Sequence, residues 1–156
     1  MEEKENALVV ANNNVLSTGI FGANDRVRKA TSIDLDNEED VDMLLNGMQE
    51  VDYKLNDCLG KVIECVGAYV QEFLSDNFNE ETGEQVTRKK HTVMLFDADG
   101  KSYVTGSNAC YMSFADIVSI KGMPTKDNII RFVPIKVDAK EKGHSYLKLR
   151  LAKEGE

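Results

Sequence analysis

The chain has 156 residues, 42% of them hydrophobic and 29% charged, with a formal net charge of −8. That length fits one domain of about 100–150 residues plus an appendage, with enough apolar material for a core. No apolar run reaches the ~18 residues of a membrane span, and the acidic start MEEKENALVV lacks a signal-peptide layout, so a cytoplasmic protein is expected.

Residues 1–30 are polar, carry Asn12-Asn13-Asn14, Gly19 and Gly22, and show no sustained period. They read as a flexible or loosely docked arm with a short apolar patch from Val15 to Phe21. A helix begins near Asp36 or Asn37, either a good N-cap, and Glu38, Glu39 and Asp40 suit the positive end of its dipole. Val41, Leu44, Leu45 and Met48 fall at helical spacing, and the helix stops near Gln49, weakened by Gly47. Its acidic face reads either as solvated surface or as a patch that docks a partner.

The run Lys61 to Phe73 is rich in β-formers, and Gly67 within it marks a bend or bulge. Leu74 to Arg88 is polar, with a turn at Thr82-Gly83, and reads as a long loop or a flexible hairpin. Strand segments follow at Lys89–Phe96 and Lys101–Thr105, joined by the tight turn Asp97-Ala98-Asp99-Gly100. Ser107 or Asn108 can cap an amphipathic helix on which Tyr111, Phe114, Ile117 and Val118 share a face, ended by Gly122 with Pro124 beyond. Two more strands are expected, Ile129–Val137 and Ser145–Leu151; Pro134 puts the first at an edge or a bulge.

This β-β-β-α-β-β order is the layout of the OB-fold, a five-stranded Greek-key barrel. The expected fold is therefore mainly β: an arm plus an acidic helix over residues 1–57, a barrel over 58–152 and a short tail over 153–156. Cys58, Cys65 and Cys110 cannot all pair, and with His91 and His144 they match no zinc spacing, so buried reduced thiols are expected.

Charge is divided along the chain. Residues 1–57 hold 13 acids against 5 bases, whereas residues 85–153 hold 13 bases against 6 acids. A strand of nucleic acid responds to that local field rather than to the total. The last strand has the cleanest alternation: Leu147, Leu149 and Leu151 point inward, and Tyr146, Lys148 and Arg150 outward. An aromatic beside cations suits single-stranded nucleic acid, where bases stack and phosphates need charge. Lys101, Tyr103 and Thr105 repeat the pattern. On the preceding strand His91, Val93 and Leu95 read as core, and Lys90, Thr92, Met94 and Phe96 as outward.

Arg88-Lys89-Lys90 is the densest basic run, and at most two of the three can serve one groove. Lys140 and Lys142 would flank that groove from the loop between the last two strands. Arg131 faces out if Ile130 and Phe132 face in, although Val133 and Ile135 share its parity. Tyr69 shares parity with Ile63 and Cys65 and either fills the core or stacks. His91 reads as a packed or loop-facing strand residue.

Catalytic signatures fail. Asp97-Ala98-Asp99-Gly100 opens like a calcium loop, but its glycine comes two places early and Asn108 stands where the bidentate Glu belongs. No phosphate-cradling loop, nucleophile elbow or paired-histidine metal helix is present. No enzyme activity and no cofactor are expected.

The stretch Leu59–Leu151 resembles the OB-fold single-stranded-DNA-binding proteins of phages and mobile elements of Gram-positive bacteria. The residues that carry the resemblance are GKVIECVG from Gly60, ETGE from Glu81, DGKSYVTGS from Asp99 and the final SYLKLRL. The resemblance implies a protein that coats unwound DNA in replication or recombination, without chemistry. Familiar bacterial members end in an acidic, aromatic-tipped tail that recruits other replication proteins; this chain ends in Lys153-Glu154-Gly155-Glu156.

The expected interface is thus Arg88, Lys89, Lys90, Lys101, Tyr103, Arg131, Lys140, Lys142, Tyr146, Lys148 and Arg150. Its expected partner is single-stranded DNA, with RNA as a ligand for the same face and a homo-oligomer left open. The alternative is an OB-like module that docks a host or phage protein through the acidic helix or an apolar barrel face.

Overall fold

The computed structural model describes residues 27–140 and 143–156. The elements are β1 (Val27–Thr31), α1 (Glu38–Gln49), β2 (Tyr53–Lys54), a 3-10 turn (Leu55–Asp57), β3 (Ile63–Phe78), β4 (Gln85–Asp97), β5 (Ser102–Thr105), α2 (Asn108–Lys121), β6 (Ile130–Asp138) and β7 (Ser145–Leu151). They form one curled, mixed seven-stranded sheet with two helices. Its strand order is β2-β5-β4-β3-β6-β7, with β1 on β3. The described residues contain no helix long and apolar enough to cross a membrane.

Local signals place both helices. Asn37 Oδ1 accepts from Asp40 N at 3.2 Å, and Ser107 Oγ accepts from Cys110 N at 3.1 Å. Each side chain satisfies an amide that the first helical turn leaves unpaired. Gly122, at φ +79°, ends α2 and donates its N–H to Val118 O at 2.8 Å.

β3 organises the sheet. Its start pairs with β6 (Ile63↔Phe132), its later half pairs with β1 (Thr31↔Tyr69), and β4 runs along its other edge. The register shifts between Cys65 and Gly67, beside the glycine expected to mark a bulge. One extra residue reverses side-chain parity. Ile63 and Cys65 therefore face one core while Tyr69, 2% exposed, fills a second core on the opposite face.

The segment 74–88 is a hairpin rather than a loop: β3 and β4 continue as a two-stranded ribbon to Phe78↔Gln85. Reading residues 1–30 as an arm gives way at Val27, because the open edge of β3 supplies backbone partners that the short, charged run VRKAT does not advertise. The remainder of that arm, Val15 to Phe21 included, lies outside the described residues.

The sheet carries a core on each face. Under α2, Phe114, Val118, Phe132, Leu95, Val93 and Val70 are all at most 1% exposed. On the other face, α1 covers Tyr69, Met94 and Phe96 through Leu44 and the flanking Ile33. Leu45, expected to pack, is 52% exposed. Cys58, Cys65 and Cys110 are free and buried, as expected.

The expected closed five-stranded cylinder is an open half-barrel. β5 spends its free edge on β2, in parallel register Tyr53↔Tyr103, fastened by Ser102 N donating to Asp52 Oδ2 at 2.9 Å. β7 turns its free edge to α2, where Leu149 N donates to Ser113 Oγ at 2.8 Å. Edges satisfied in this way no longer need each other.

Candidate nucleic-acid interface

β7 alternates as its sequence dictates. Leu147 and Leu149 are buried beneath α2, although Leu151 at the strand end is 38% exposed. Tyr146, Lys148 and Arg150 face the other way, beside Val137, Ile135 and Val133 of β6. Tyr146 is 37% exposed, and Lys148 Nζ lies 5.8 Å from its ring centroid, within cation–π range. Arg131 is exposed on the same face.

This face already binds one anion. Arg150 Nη1 and Nη2 donate to Glu156 Oε1 and Oε2 at 2.7 and 2.8 Å, and Arg131 donates to the Glu156 carbonyl oxygen. The hydrogen bonds from Arg150, with one from Lys153 N, hold the Glu156 carboxyl down at about 2. Planar two-point recognition of a carboxylate is also how arginine recognises phosphate. The short tail thus lies against the cations rather than apart from them. Lys140 is exposed just beyond β6, at the Tyr146 end of the row. Lys142 lies outside the described residues.

Tyr103 does not join this row. Its cross-strand partner is Leu95, so its ring faces the core beneath α2, opposite in sense to Tyr146. The face expected to be outward, with Met94 and Phe96, is the one α1 covers, and both residues are buried. Tyr103 Oη donates to Asp97 Oδ2 at 2.7 Å, and the ring stacks on Tyr53 with centroids 5.1 Å apart. Burial and that acidic partner push its hydroxyl well above the ordinary tyrosine value. A continuous tyrosine platform shared by β5 and β7 is therefore absent, because a second core occupies the outer face of β4 and β5. Lys101 is exposed in the turn before β5, and its N–H donates to Asp97 Oδ1 at 2.9 Å.

The basic run sits on the ribbon rather than at a loop mouth. Arg88 and Lys90 are exposed and share one ribbon face, while Lys89, between them, takes the other. The ribbon leaves the end of the sheet opposite the β6–β7 turn, because β6 runs antiparallel to β3. Arg88 and Lys90 therefore stand toward one end of the sheet and Lys140 toward the other.

Sequence inspection missed the cluster at the ribbon base. Glu72 is approached by His91 Nε2 at 3.2 Å, Lys89 Nζ at 3.7 Å and Arg28 Nη1 at 3.9 Å. His91 Nδ1 contacts Asn108 Oδ1 at 3.2 Å, and the ring stacks on Tyr111 with centroids 3.7 Å apart. Four separate elements meet there, and no spacing along the chain signals it.

The other pole is acidic. A cleft of about 610 Å³ between α1, the β4–β5 turn and residues 125–127 is lined by Asp34, Glu39, Asp40, Asp97, Asp99 and Asp127. Lys126 at its wall is bound to Asp40 at 2.9 Å. Such a field repels a polyanion and confines any nucleic acid to the remaining surface. Comparison of this chain with protein-family models, with curated proteins and with solved structures finds no match.

Proposed function

We propose that the protein binds single-stranded DNA without sequence preference, along the outer face of β6 and β7. Tyr146 stacks a base, while Lys148, Arg150 and Arg131 hold phosphates. Arg88 and Lys90 on the ribbon, with Lys140 beyond β6, add attraction at the two ends. The observation that carries the reading is the single-faced row of one exposed ring and three cations, two of them already gripping Glu156. The order β5-β4-β3-β6-β7, with a helix between β5 and β6, supports treating the half-barrel as an OB-fold opened at one seam. By the resemblance of its motifs, the setting is replication or recombination of phage or plasmid DNA in a bacterial cytoplasm.

Anisotropy of labelled oligo-dT at two salt concentrations tests this. Affinity should fall steeply with salt as phosphate neutralisation releases counterions. Tyr146→Ala should weaken binding roughly 5- to 150-fold, the loss of one base stack. Tyr103→Phe should bind as wild type. Absence of binding at low salt, or full binding by Tyr146→Ala, would refute the proposal; competition with matched RNA decides between the two nucleic acids.

A second reading draws on the acidic cleft. Its ring of carboxylates beside α1 suits a basic protein surface, which makes the chain a docking module. That reading is favoured if a partner protein is retained while oligo-dT is not shifted.

A further inference from the structure

The exposed side of α2 is unusual for a helix whose other side is locked into a core. Ile120 is 88% exposed and Met112, about two turns earlier, 60%. Ile117, Ile120 and Leu151 line a shallow groove of about 240 Å³ whose ends carry Asp116 and Lys121. Neither charge has an ion-pair partner among the described residues. The helix cannot rotate to hide these side chains, because Phe114 and Val118 are fully buried and Ser113 holds β7.

We propose that this face of α2 is a two-fold self-association surface whose occupant is a second copy of the same chain. The reason lies in the order Asp116-Ile117-Val118-Ser119-Ile120-Lys121. Two copies of a helix related by a two-fold axis through the middle of that segment run antiparallel. Asp116 then faces Lys121 of the second copy, Ile117 faces Ile120, and each contact occurs twice. An isologous interface demands this self-complementarity, with opposite charges disposed symmetrically about an apolar centre. A foreign partner imposes no such pattern. The row on β7 lies on the opposite side of the sheet from α2, so pairing leaves it open on both copies.

The patch is small beside the ~800 Å² per partner of a stable interface, so half-association is expected only near ~0.1 mM or above. Sedimentation of the full chain across a concentration series reads this directly. The weight-average mass should climb toward twice the monomer as concentration rises to about 1 mM. Asp116→Lys and Lys121→Asp each set like charges face to face and should raise the dissociation constant roughly tenfold.

Their equimolar mixture should associate again, because the heterodimer restores both opposite pairs, and the double swap should self-associate like wild type. Both positions are exposed, so the swapped chains should fold, and thermal melts check this. Ile120→Glu offers an independent disruption at the apolar centre. A wild type that stays monomeric throughout would overturn the proposal. So would single swaps that associate unchanged, or a mixture that fails to recover.

Discussion

Replacing Ser113 with alanine tests how the half-barrel closes its last strand. The Ser113 hydroxyl accepts from Leu149 N at 2.8 Å and donates to the Cys110 carbonyl, also at 2.8 Å. Ser113 is 8% exposed and Leu149 4%, so water cannot readily replace the lost acceptor. Stranding a buried N–H costs about 1–3 kcal/mol. Alanine's better helix propensity returns about 0.5 kcal/mol. The net expectation is a loss of about 0.5–2.5 kcal/mol, or about 1–10 °C in Tm for a chain of this size. Urea unfolding should show a lower midpoint with an unchanged slope, and amide exchange at Leu149 should accelerate selectively. Ser119→Ala is the control: its hydroxyl donates to Asp116 O at 2.7 Å in an exposed turn and touches no strand, so stability should move by less than about 0.5 kcal/mol. If Ser113→Ala matches wild type in stability and in Leu149 protection, the helix is not the edge partner of β7.

Gly47→Ala sets helix propensity against space. The added methyl would stand 2.6 Å from Phe96 Cε2, on a ring with no exposed surface. Overpacking of about 1–3 kcal/mol should outweigh the ~1 kcal/mol of propensity, lowering the urea midpoint; a more stable variant would show that α1 is not seated on Phe96. The Cys65 and Cys110 thiols, pushed up to about 12 chiefly by burial, should resist a disulfide reagent in the native protein and react once it is unfolded. Rapid native labelling of either would contradict the packing. The Glu156 carboxyl, lowered from 4.5, should titrate by NMR with a midpoint at about 2. Its contribution to stability is complete above the ordinary carboxylate value and disappears as pH falls through about 2. Arg150→Ala should return the midpoint toward 4.5, and no movement would mean the pair is not formed in solution.

What short stretches of sequence determine, the fold keeps. Asn37 and Ser107 cap their helices, Gly122 stops α2, Asp97 to Gly100 makes the turn, and β7 alternates from Tyr146 to Arg150. Each depends on interactions within a few positions of chain, so local chemistry suffices. Which face of a strand meets water is a different kind of fact. Tyr103 and Tyr146 sit in similar aromatic-cation rows, yet one ring is turned to a core and the other to solvent. The extra residue at Val66 reverses parity along β3, and α1 arrives from a distant part of the chain to cover Met94 and Phe96. The strand β1 and the Glu72–His91 cluster likewise join residues far apart in sequence. Burial of a side chain depends on what packs above it, and only the tertiary structure brings that partner into place.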